Sequence, residues 1–418
     1  MKLANAALKI ILDSRGEETL EAELTNERVT AFASVPSGKS RGAYEAFVLS
    51  PKEAVQRFKD LKNKVLGRDF NSQDEFDNFL ISLDGTHSAS SGQALKKNLG
   101  GNLILALSLA WARLKAKSEN LELFKYINKL LNAHYPIPIT NFPRPIFNVI
   151  EGGVHAQNAL NFQEFQIIPE VSDFGIAYGL GQEFYRKLRE FLEQEFGKEN
   201  VSLGDESGFS CPFKNNEEAI EILTELIRKY NYPLRIGLDA AASQFFHAAD
   251  KRGYQADSRG YYLVDGKKYS AEELKDFYLG LIKNYNLLSI EDPFNEKAFD
   301  IFAELTQNLA QNRRETLIVT DDLTTTNSER LKIAIEKKSG NTILIKPNQI
   351  GTLTETLKVV KLAYENNWET IVSHRSGETM DDFIADLAAG IGAWGIKAGA
   401  PVTSERLSKY ERLLEISN

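Results

Sequence analysis

Residues 342–347 read Thr-Ile-Leu-Ile-Lys-Pro, a short apolar run that ends in one lysine. A run of this length, rich in β-branched residues and followed by proline, is typical of a buried strand. Lys346 therefore stands at the carboxyl end of the strand. An isolated lysine there would be interpreted as a side chain that reaches solvent. The same pattern elsewhere in the chain changes that interpretation.

Apolar runs that end in charged or polar residues recur on both sides of Lys346. They are RIGLD ending at Asp239, LLSIED containing Glu291, LIVTD ending at Asp321, TIVSHR ending at His374 and Arg375, and WGIK ending at Lys397. Segments 327–338 and 352–365 between them predict helices, and the second begins with a capping box at Thr352 and Glu355. Repeated strand–helix units predict a parallel (β/α) barrel, whose strand ends meet at one mouth.

The first third of the chain has a different pattern. Strand-like runs at 8–12, 19–24 and 29–35 precede helical patterns at 51–66, 71–83, 102–117 and 121–133, which predicts a separate α+β unit. Residues 135–145 contain four of the 12 prolines, and such a segment resists regular structure. We therefore predict two domains, residues 1–136 and residues 137–418.

The composition limits the partners and the compartment. The chain has 418 residues, 42% of them hydrophobic, and a net charge of -8 from 58 acidic and 50 basic residues. It has no long basic run and no apolar stretch of membrane-spanning length, so we expect no nucleic-acid partner and no membrane association. Cys211 is the only cysteine, which excludes an internal disulfide and favours a cytoplasmic location.

Three carboxylates follow successive predicted strands, at Asp239, Glu291 and Asp321. The alternative is that each acid only marks where a strand reaches solvent. Recurrence after three buried runs favours a common site, because three like charges at one barrel mouth repel one another without a cation. Oxygen ligands without thiolate or imidazole favour Mg²⁺ over Zn²⁺. Near such a cation and Lys397, Lys346 can have a pKa low enough to act as a base.

Three further segments offer acid–base groups, each of them a weak signal alone. Gly204-Asp-Glu-Ser-Gly208 can turn tightly and present Glu206, although it also reads as an ordinary surface turn. Glu151-Gly-Gly-Val-His155 suggests a hinged loop that carries a histidine. Phe162-Gln-Glu-Phe165 places Glu164 between aromatic residues, where burial would raise its pKa.

Two segments resemble phosphate-binding loops. Ser373-His-Arg-Ser-Gly-Glu378 supplies a guanidinium, hydroxyls and backbone amides before a helical stretch, which suits a phosphate. Ser37-Gly-Lys-Ser-Arg-Gly42 is similar to the end of a Walker A motif, but Ala33 stands where the first glycine is required. We therefore exclude a nucleotide-binding P-loop.

Taken together and in order, these segments resemble the enolase family across nearly the whole chain. The most specific matches are Leu12-Asp-Ser-Arg-Gly16, Ser289-Ile-Glu-Asp-Pro-Phe294, Asp321-Asp-Leu-Thr-Thr-Thr-Asn327, Leu344-Ile-Lys-Pro-Asn-Gln-Ile-Gly351, Ser373-His-Arg-Ser-Gly-Glu-Thr379 and Ile396-Lys-Ala-Gly-Ala-Pro401. The resemblance implies an α/β fold: an N-terminal α+β capping and dimerisation domain with a mobile loop at 37–42, then a modified (β/α)₈ TIM-like barrel with one antiparallel early strand.

The resemblance also implies a reaction, the reversible dehydration of 2-phosphoglycerate to phosphoenolpyruvate by a glycolytic hydro-lyase. It implies two Mg²⁺ ions per site, the second entering with substrate, and a homo-oligomer, either a dimer or an octamer. The implied ligands of the first metal are Asp239, Glu291 and Asp321, and Ser40 is the implied ligand of the second. The implied base is Lys346 and the implied acid is Glu206, with Glu164 supporting that acid and His155 closing over the substrate. Substrate binding is implied for Gln163, His374, Arg375, Ser376, Lys397, Glu291 and Asp321.

The chain departs from the family pattern at several positions. Lys39 and Arg41 add two cations beside Ser40, and Ser207 replaces a usual glycine. Two alternatives to the enolase interpretation stay open at this point. One is another member of the superfamily, such as a racemase or sugar-acid dehydratase, which would lack the phosphate segment. The other is a non-catalytic protein that kept the fold.

Overall fold

The computed structural model describes residues 1–39, 42–86, 95–132, 142–248 and 260–418. The predicted second-metal ligand Ser40, its neighbour Arg41 and the predicted domain boundary between residues 136 and 137 lie outside these ranges. Within them, none of the helices is both long enough and apolar enough to cross a membrane.

The strands fall into two small sheets and one large one. In chain order they are β1 (Asn5–Leu12), β2 (Glu18–Thr25), β3 (Thr30–Ser34), β4 (Arg144–Glu151), β5 (Glu164–Pro169), β6 (Ser202–Leu203), β7 (Phe209–Ser210), β8 (Leu234–Asp239), β9 (Phe246–Ala248), β10 (Gly260–Val264), β11 (Lys267–Tyr269), β12 (Ser289–Glu291), β13 (Leu317–Thr320), β14 (Thr342–Ile345), β15 (Glu369–Ser373) and β16 (Gly395–Lys397).

The helices lie between these strands and after the last of them. In chain order they are α1 (Pro51–Val65), α2 (Gln73–Asp84), α3 (Gly101–Ser118), α4 (Leu123–Asn132), α5 (Phe174–Phe196), α6 (Asn216–Tyr230), α7 (Ala271–Tyr285), α8 (Phe299–Gln311), α9 (Ser328–Lys337), α10 (Pro347–Ile350), α11 (Leu353–Glu365), α12 (Phe383–Ile391) and α13 (Ser404–Ser417).

The N-terminal unit is an antiparallel meander of β1, β2 and β3 with four helices. Helix α3 packs against β2 and β3 and is buried on nearly every side. That burial explains why its sequence is apolar all round instead of along one stripe. The predicted strands and helices of this unit are confirmed with shifts of a few residues at their ends.

The large sheet closes into an eight-stranded barrel. The order β4, β5, β8, β12, β13, β14, β15, β16 returns to β4, because β16 pairs with β4. Only β5 runs antiparallel to its neighbours β4 and β8. The predicted α/β fold, an N-terminal α+β unit followed by a TIM-like barrel with one antiparallel early strand, is confirmed.

An apolar cluster fills the interior of the barrel below its mouth. Side chains on or beside six barrel strands pack together, and they are Ile146, Ile168, Leu288, Val319, Leu344 and Ile371. Branched side chains of this kind fill a barrel interior in layers. With the interior filled, the polar residues at the carboxyl ends of the strands lie above it at the mouth.

Two local predictions need correction. The start of α11 is not a complete capping box: Thr352 accepts from the backbone of Glu355 at 3.1 Å, but the Glu355 carboxylate accepts from the Thr352 hydroxyl at 2.6 Å and pairs with Lys96. The sequence patterns above also omit the small sheet of β9, β10 and β11. Its hairpin turns at Asp265 and Gly266, both with positive φ, and this dipeptide is a strong hairpin signal.

Candidate active site

One cavity at the barrel mouth brings together nearly all the predicted site residues. Its lining includes His155, Gln163, Glu164, Glu206, Asp239, Asp321, Lys346, His374, Arg375, Ser376 and Lys397. Glu291 contacts this set through Lys397, whose Nζ lies 2.9 Å from Glu291 Oε2. These residues come from strands far apart in the sequence, and the closed barrel is what places their strand ends side by side.

Lys397 is the central cation of the cavity. Its Nζ lies 3.0 Å from Asp239 Oδ2 and 3.1 Å from Glu164 Oε2, in addition to the Glu291 contact. Burial acts to lower the pKa of Lys397, but these carboxylates outweigh burial and raise it well above its usual range. Lys397 is therefore a permanent ammonium that neutralises part of the carboxylate charge.

Lys346 makes a second, separate ion pair. Its Nζ lies 2.5 Å from Asp321 Oδ2, and the other oxygen of Asp321 accepts from Gln349 at 2.8 Å. Gln349 is itself oriented by Thr326, whose hydroxyl donates to it at 2.7 Å. Burial lowers the pKa of Lys346, but the Asp321 carboxylate outweighs it and raises that pKa. The ammonium form of Lys346 is thus tied to the charge of Asp321.

The carboxylates present suit a hard cation. Glu291 Oε1 is buried and has no hydrogen-bond partner among the described residues, so one oxygen of this predicted ligand remains available. Burial, aided by the charge of Asp239, raises the pKa of Glu291 well above its usual range. A cation here would give Glu291 Oε1 a partner and would lower the pKa of Glu291. Carboxylate oxygens are the ligands that Mg²⁺ prefers.

A second carboxylate set adjoins the first and was not predicted. Oxygens of Asp292, Asp321 and Asp322 lie within 4.8 Å of one another. Asp292 accepts from the backbone N–H groups of Asp321 and Asp322 at 3.1 and 2.6 Å, so it fixes the turn that presents Asp321. The sequence did contain a signal for this second set. A pair of acids stands at the end of each of two successive strands, Glu291-Asp292 and Asp321-Asp322.

Glu206 sits at the tip of a short hairpin formed by β6 and β7. The buried carboxylate of Glu151 holds this tip, because it accepts from the backbone N–H of Glu206 at 3.1 Å and of Gly208 at 2.5 Å. Ser207 has a φ of 70°, a left-handed conformation that explains why glycine is usual here in the family. The sequence pattern predicted the turn but not the support from Glu151.

The Glu206 carboxylate faces two histidines and another glutamate. Oε2 lies 3.1 Å from His374 Nε2, Oε1 lies 3.7 Å from His155 Nδ1, and Asn148 donates to Oε2 at 3.2 Å. Ligand atoms of His155, Glu164 and Glu206 lie within 4.8 Å of one another. Burial acts to raise the pKa of Glu206, but contact with His374 and His155 outweighs it and holds the pKa well below its usual range.

Glu164 holds a proton more readily than its neighbour. Burial raises the pKa of Glu164 to about 8, although the Lys397 ammonium opposes the change. Glu164 also accepts from Gln166 at 2.9 Å. Two carboxyl groups this close titrate as a pair, and the proton that the pair keeps near neutral pH is on Glu164.

The predicted phosphate segment is held by the N-terminal unit. Arg375 forms a two-point ion pair with the buried carboxylate of Glu45, at 2.9 and 3.2 Å. Ser376 Oγ accepts from the backbone N–H of Lys39 at 2.9 Å, and Ser37 exchanges backbone hydrogen bonds with Gly377. The segment that precedes Ser40 is therefore docked directly on the predicted substrate-binding residues.

Lys39 links this docked segment to the other side of the cavity. Its Nζ lies 2.8 Å from Asp205 Oδ2 and donates to the carbonyl oxygen of Val154 at 2.8 Å. Asp205 precedes Glu206, and Val154 precedes His155. Lys39 therefore contacts the residue that precedes Glu206 and the residue that precedes His155.

Comparison with known proteins agrees with the geometry. The profile described as "Enolase, N-terminal domain" matches residues 4–127, and the one described as "Enolase, C-terminal TIM barrel domain" matches residues 139–418. An enolase of Methanocaldococcus jannaschii is 40% identical, over 97% of this chain and 92% of the relative.

Two further relatives support the same assignment. An enolase of Saccharolobus islandicus strain Y.G.57.14 is 40% identical, and an enolase of Sulfurisphaera tokodaii is 41% identical, each over 98% of this chain and 94% of the relative. This similarity covers nearly the whole chain, including the residues matched by both profiles. The chain therefore belongs to the enolase family, and the prediction of a hydro-lyase of the phosphopyruvate hydratase type is confirmed.

Proposed function

We propose that this chain interconverts 2-phosphoglycerate and phosphoenolpyruvate, with Lys346 as the general base and Glu206 as the general acid. The observation that carries the proposal is the convergence of these two side chains on one cavity that Asp239 and Asp321 also line, with Glu291 joined to it through Lys397. The base would take the proton at C2, and the acid would protonate the hydroxyl that leaves C3.

The need for strong positive charge follows from the substrate. The proton at C2 lies next to a carboxylate that is already ionised, so its removal produces a doubly charged enediolate. Lys397, held by Asp239, Glu164 and Glu291, supplies one fixed positive charge at that point. Because the ammonium is already oriented by its ion pairs, little reorganisation is needed when the new charge forms.

Asp239, Glu291 and Asp321 are the residues we propose as ligands of the first Mg²⁺, and Ser40 as a ligand of the second. Mg²⁺ held by these residues would supply positive charge that opposes the charge of the enediolate, and Asp321 would then be shared between the metal and Lys346. Freed from part of this ion pair, the Lys346 side chain becomes a better proton acceptor. Ser40 and the number of ions rest on the family resemblance alone.

The proton for the leaving hydroxyl is supplied by the neighbouring carboxyl groups of Glu164 and Glu206. Of these two, Glu164 holds the proton near neutral pH, because its pKa is about 8 while that of Glu206 is well below its usual range, so the proton passes from Glu164 by way of Glu206 to the leaving hydroxyl. His155 closes over the substrate from its loop, and Gln163 is held beside Asp239 by a hydrogen bond of 3.1 Å. Arg375 and Ser376 bind the phosphate, and the preceding residue, His374, contacts Glu206.

We further propose a cytoplasmic homo-oligomer, either a dimer or an octamer. The reducing compartment is supported by the single cysteine, Cys211, which is buried. The assembly rests on the family resemblance. Light scattering after size-exclusion chromatography distinguishes the two assemblies from each other and from a monomer.

A substrate panel tests the proposed function against the superfamily alternative. Phosphoenolpyruvate absorbance should rise when the protein and Mg²⁺ meet 2-phosphoglycerate, and chelation of the metal should stop it. Mandelate and sugar acids without phosphate should give no product, because Arg375 and Ser376 would then have no ligand. Turnover of a sugar acid with none of 2-phosphoglycerate would replace this proposal with the alternative.

The metal ligands can be tested by protein stability. Mg²⁺ binds the folded state preferentially and should raise the melting temperature as its concentration increases. Asp321→Asn should weaken this response sharply, because it removes a charged ligand. Asp300→Asn is the matched control, since Asp300 is an exposed aspartate paired with Lys337. Calorimetric titration that shows the same Mg²⁺ response in Asp321→Asn as in the unaltered chain would exclude Asp321 from the site.

Lys39 should affect substrate binding more than chemistry. Its side chain is 46% exposed, so its ion pair with Asp205 is worth at most about 1 kcal/mol. We expect Lys39→Ala to raise the KM for 2-phosphoglycerate by about two- to fivefold, with a smaller change in kcat and a smaller effect in high salt. Lys52→Ala, which removes a lysine 3.9 Å from Glu18, is the control. Equal KM values in the two variants would show that Lys39 does not order the site.

A further inference from the structure

Arg406 is a buried arginine in the first turn of α13 and has no part in the mechanism above. It is 1% exposed. Its guanidinium donates to the carbonyl oxygens of Arg375 and Ser376, both at 2.8 Å, and to that of Asp205 at 3.3 Å. One side chain therefore joins the phosphate segment to the turn that carries Glu206.

The same guanidinium determines the state of a histidine ring. Arg406 Nη1 lies 2.5 Å from His374 Nδ1. A guanidinium can only donate hydrogen bonds, so Nδ1 has to accept, and the single proton of the neutral ring has to be on Nε2. Burial lowers the pKa of His374 to about 4, which agrees with a neutral ring.

His374 Nε2 is directed towards the acid side of the cavity. It lies 3.1 Å from Glu206 Oε2, and it has no aligned hydrogen bond to any described residue. Asn148 also donates to Oε2. With the Asn148 amide and the His374 ring both beside Oε2, a proton that Glu206 receives during the reaction belongs on Oε1, on the side of His155.

We propose that Arg406 is a positioning residue that holds His374 as the Nε2–H tautomer, so that the ring offers a donor to Glu206 and to a substrate oxygen beside it. The tautomer follows from the contacts of Arg406 alone, whereas its effect on turnover rests on the proposed function. In the other tautomer, Nε2 would carry a lone pair facing the Glu206 carboxylate, and the two would repel.

Gly399 makes room for this arrangement. A Cβ at this residue would lie 2.9 Å from Arg406 Cδ and 3.1 Å from both His374 Cε1 and the carbonyl oxygen of Glu206. The φ of Gly399 is 83°, a conformation that other residues rarely adopt. Gly399→Ala therefore disturbs the contact between Arg406 and His374 without removing the arginine.

The tautomer is measured by two-bond ¹⁵N–¹H correlation spectra of histidine-labelled protein near neutral pH. The chain has five histidines, and His374→Gln identifies the ring of interest. We expect His374 to show Nε2–H alone in the unaltered protein. In Arg406→Gln the signal should move towards a mixture of tautomers. Arg235→Gln is the matched control, because Arg235 also donates to backbone carbonyls but lies at the opposite end of β8.

Kinetics on the same variants test the consequence for the reaction. We expect kcat to fall about tenfold or more in Arg406→Gln, with a smaller change in KM, and to recover partly in Arg406→Lys. If Arg406→Gln does not fold, Gly399→Ala takes its place with the same expected spectral change.

An Nδ1–H signal in the unaltered protein, or an unchanged His374 signal in the variants, would overturn the proposal whatever their activity. An Nε2–H signal that depends on Arg406, in a protein that does not convert 2-phosphoglycerate, would instead support the tautomer and contradict the proposed function.

Discussion

Lys346→Ala is expected to abolish both turnover and the exchange of the substrate C2 proton with solvent deuterium. Removal of a general base costs about 10²- to 10⁴-fold in rate, and no other described lysine replaces it, since Lys397 is held by three carboxylates. Proton NMR of 2-phosphoglycerate in deuterated water follows the exchange directly. Exchange at the unaltered rate in Lys346→Ala would show that another group is the base.

Glu206→Gln is the matched variant for this experiment. It replaces a buried carboxylate of the same cavity with a neutral amide, on the acid side of the reaction. We expect it to lose turnover and keep measurable C2 exchange, because the enediolate can form and revert without loss of the hydroxyl. Loss of exchange in both variants to the same extent would contradict the division of roles between Lys346 and Glu206.

Lys397→Met should cause the largest loss of stability among the site variants. It removes the ammonium that lies within 3.1 Å of oxygens of Asp239, Glu291 and Glu164. Breaking a buried ion pair by removing one partner costs about 3–5 kcal/mol, because the remaining charge is left uncompensated. We expect this loss in metal-free denaturant titrations, and partial recovery on addition of Mg²⁺, which can supply positive charge to Asp239 and Glu291.

Lys337→Met provides the comparison for that measurement. Lys337 pairs with Asp300 at 2.6 Å, but both side chains are largely exposed, so its loss should cost less than about 1 kcal/mol. Similar free energies of unfolding for the two variants without metal would mean that Lys397 does not hold the carboxylate set together. Activity of Lys397→Met should also be lost, since its cation faces the developing charge.

The barrel could be predicted because its signals are local. Each strand is a short apolar run, and the residue at its end, such as Lys346 or Asp321, follows in the sequence. The direction of β5 is different. Its six residues are all buried and read as a strand in either direction, so its antiparallel course was inferred from the family resemblance and not from the pattern.

The partners of the site residues could not be predicted in the same way. Lys397 was expected to bind the substrate, but which protein carboxylates it contacts depends on how β16, β8 and β5 are arranged around the closed barrel. Arg375 was expected at a phosphate, and its ion pair with Glu45 depends on how the N-terminal unit docks on the mouth. Such contacts join residues hundreds of positions apart and leave no local pattern.

Arg406 shows the same limit most clearly. It lies in a polar helix start, Thr403-Ser-Glu-Arg406, where an arginine normally signals an exposed side chain. It is buried because the start of α13 packs on the segment of residues 374–376, which Arg406 contacts. Glu151 and Asp292 are comparable, since each holds a turn by accepting from backbone N–H groups, and those contacts form only in the folded chain.

The most direct test of the account is to follow both substrates by ³¹P NMR with purified protein and Mg²⁺. Samples that begin as pure 2-phosphoglycerate and as pure phosphoenolpyruvate should reach the same final mixture, and Lys346→Ala at equal concentration should leave both samples unchanged. If the unaltered protein converts neither compound while it binds Mg²⁺ and remains folded, the assignment of this site as a working hydro-lyase is wrong.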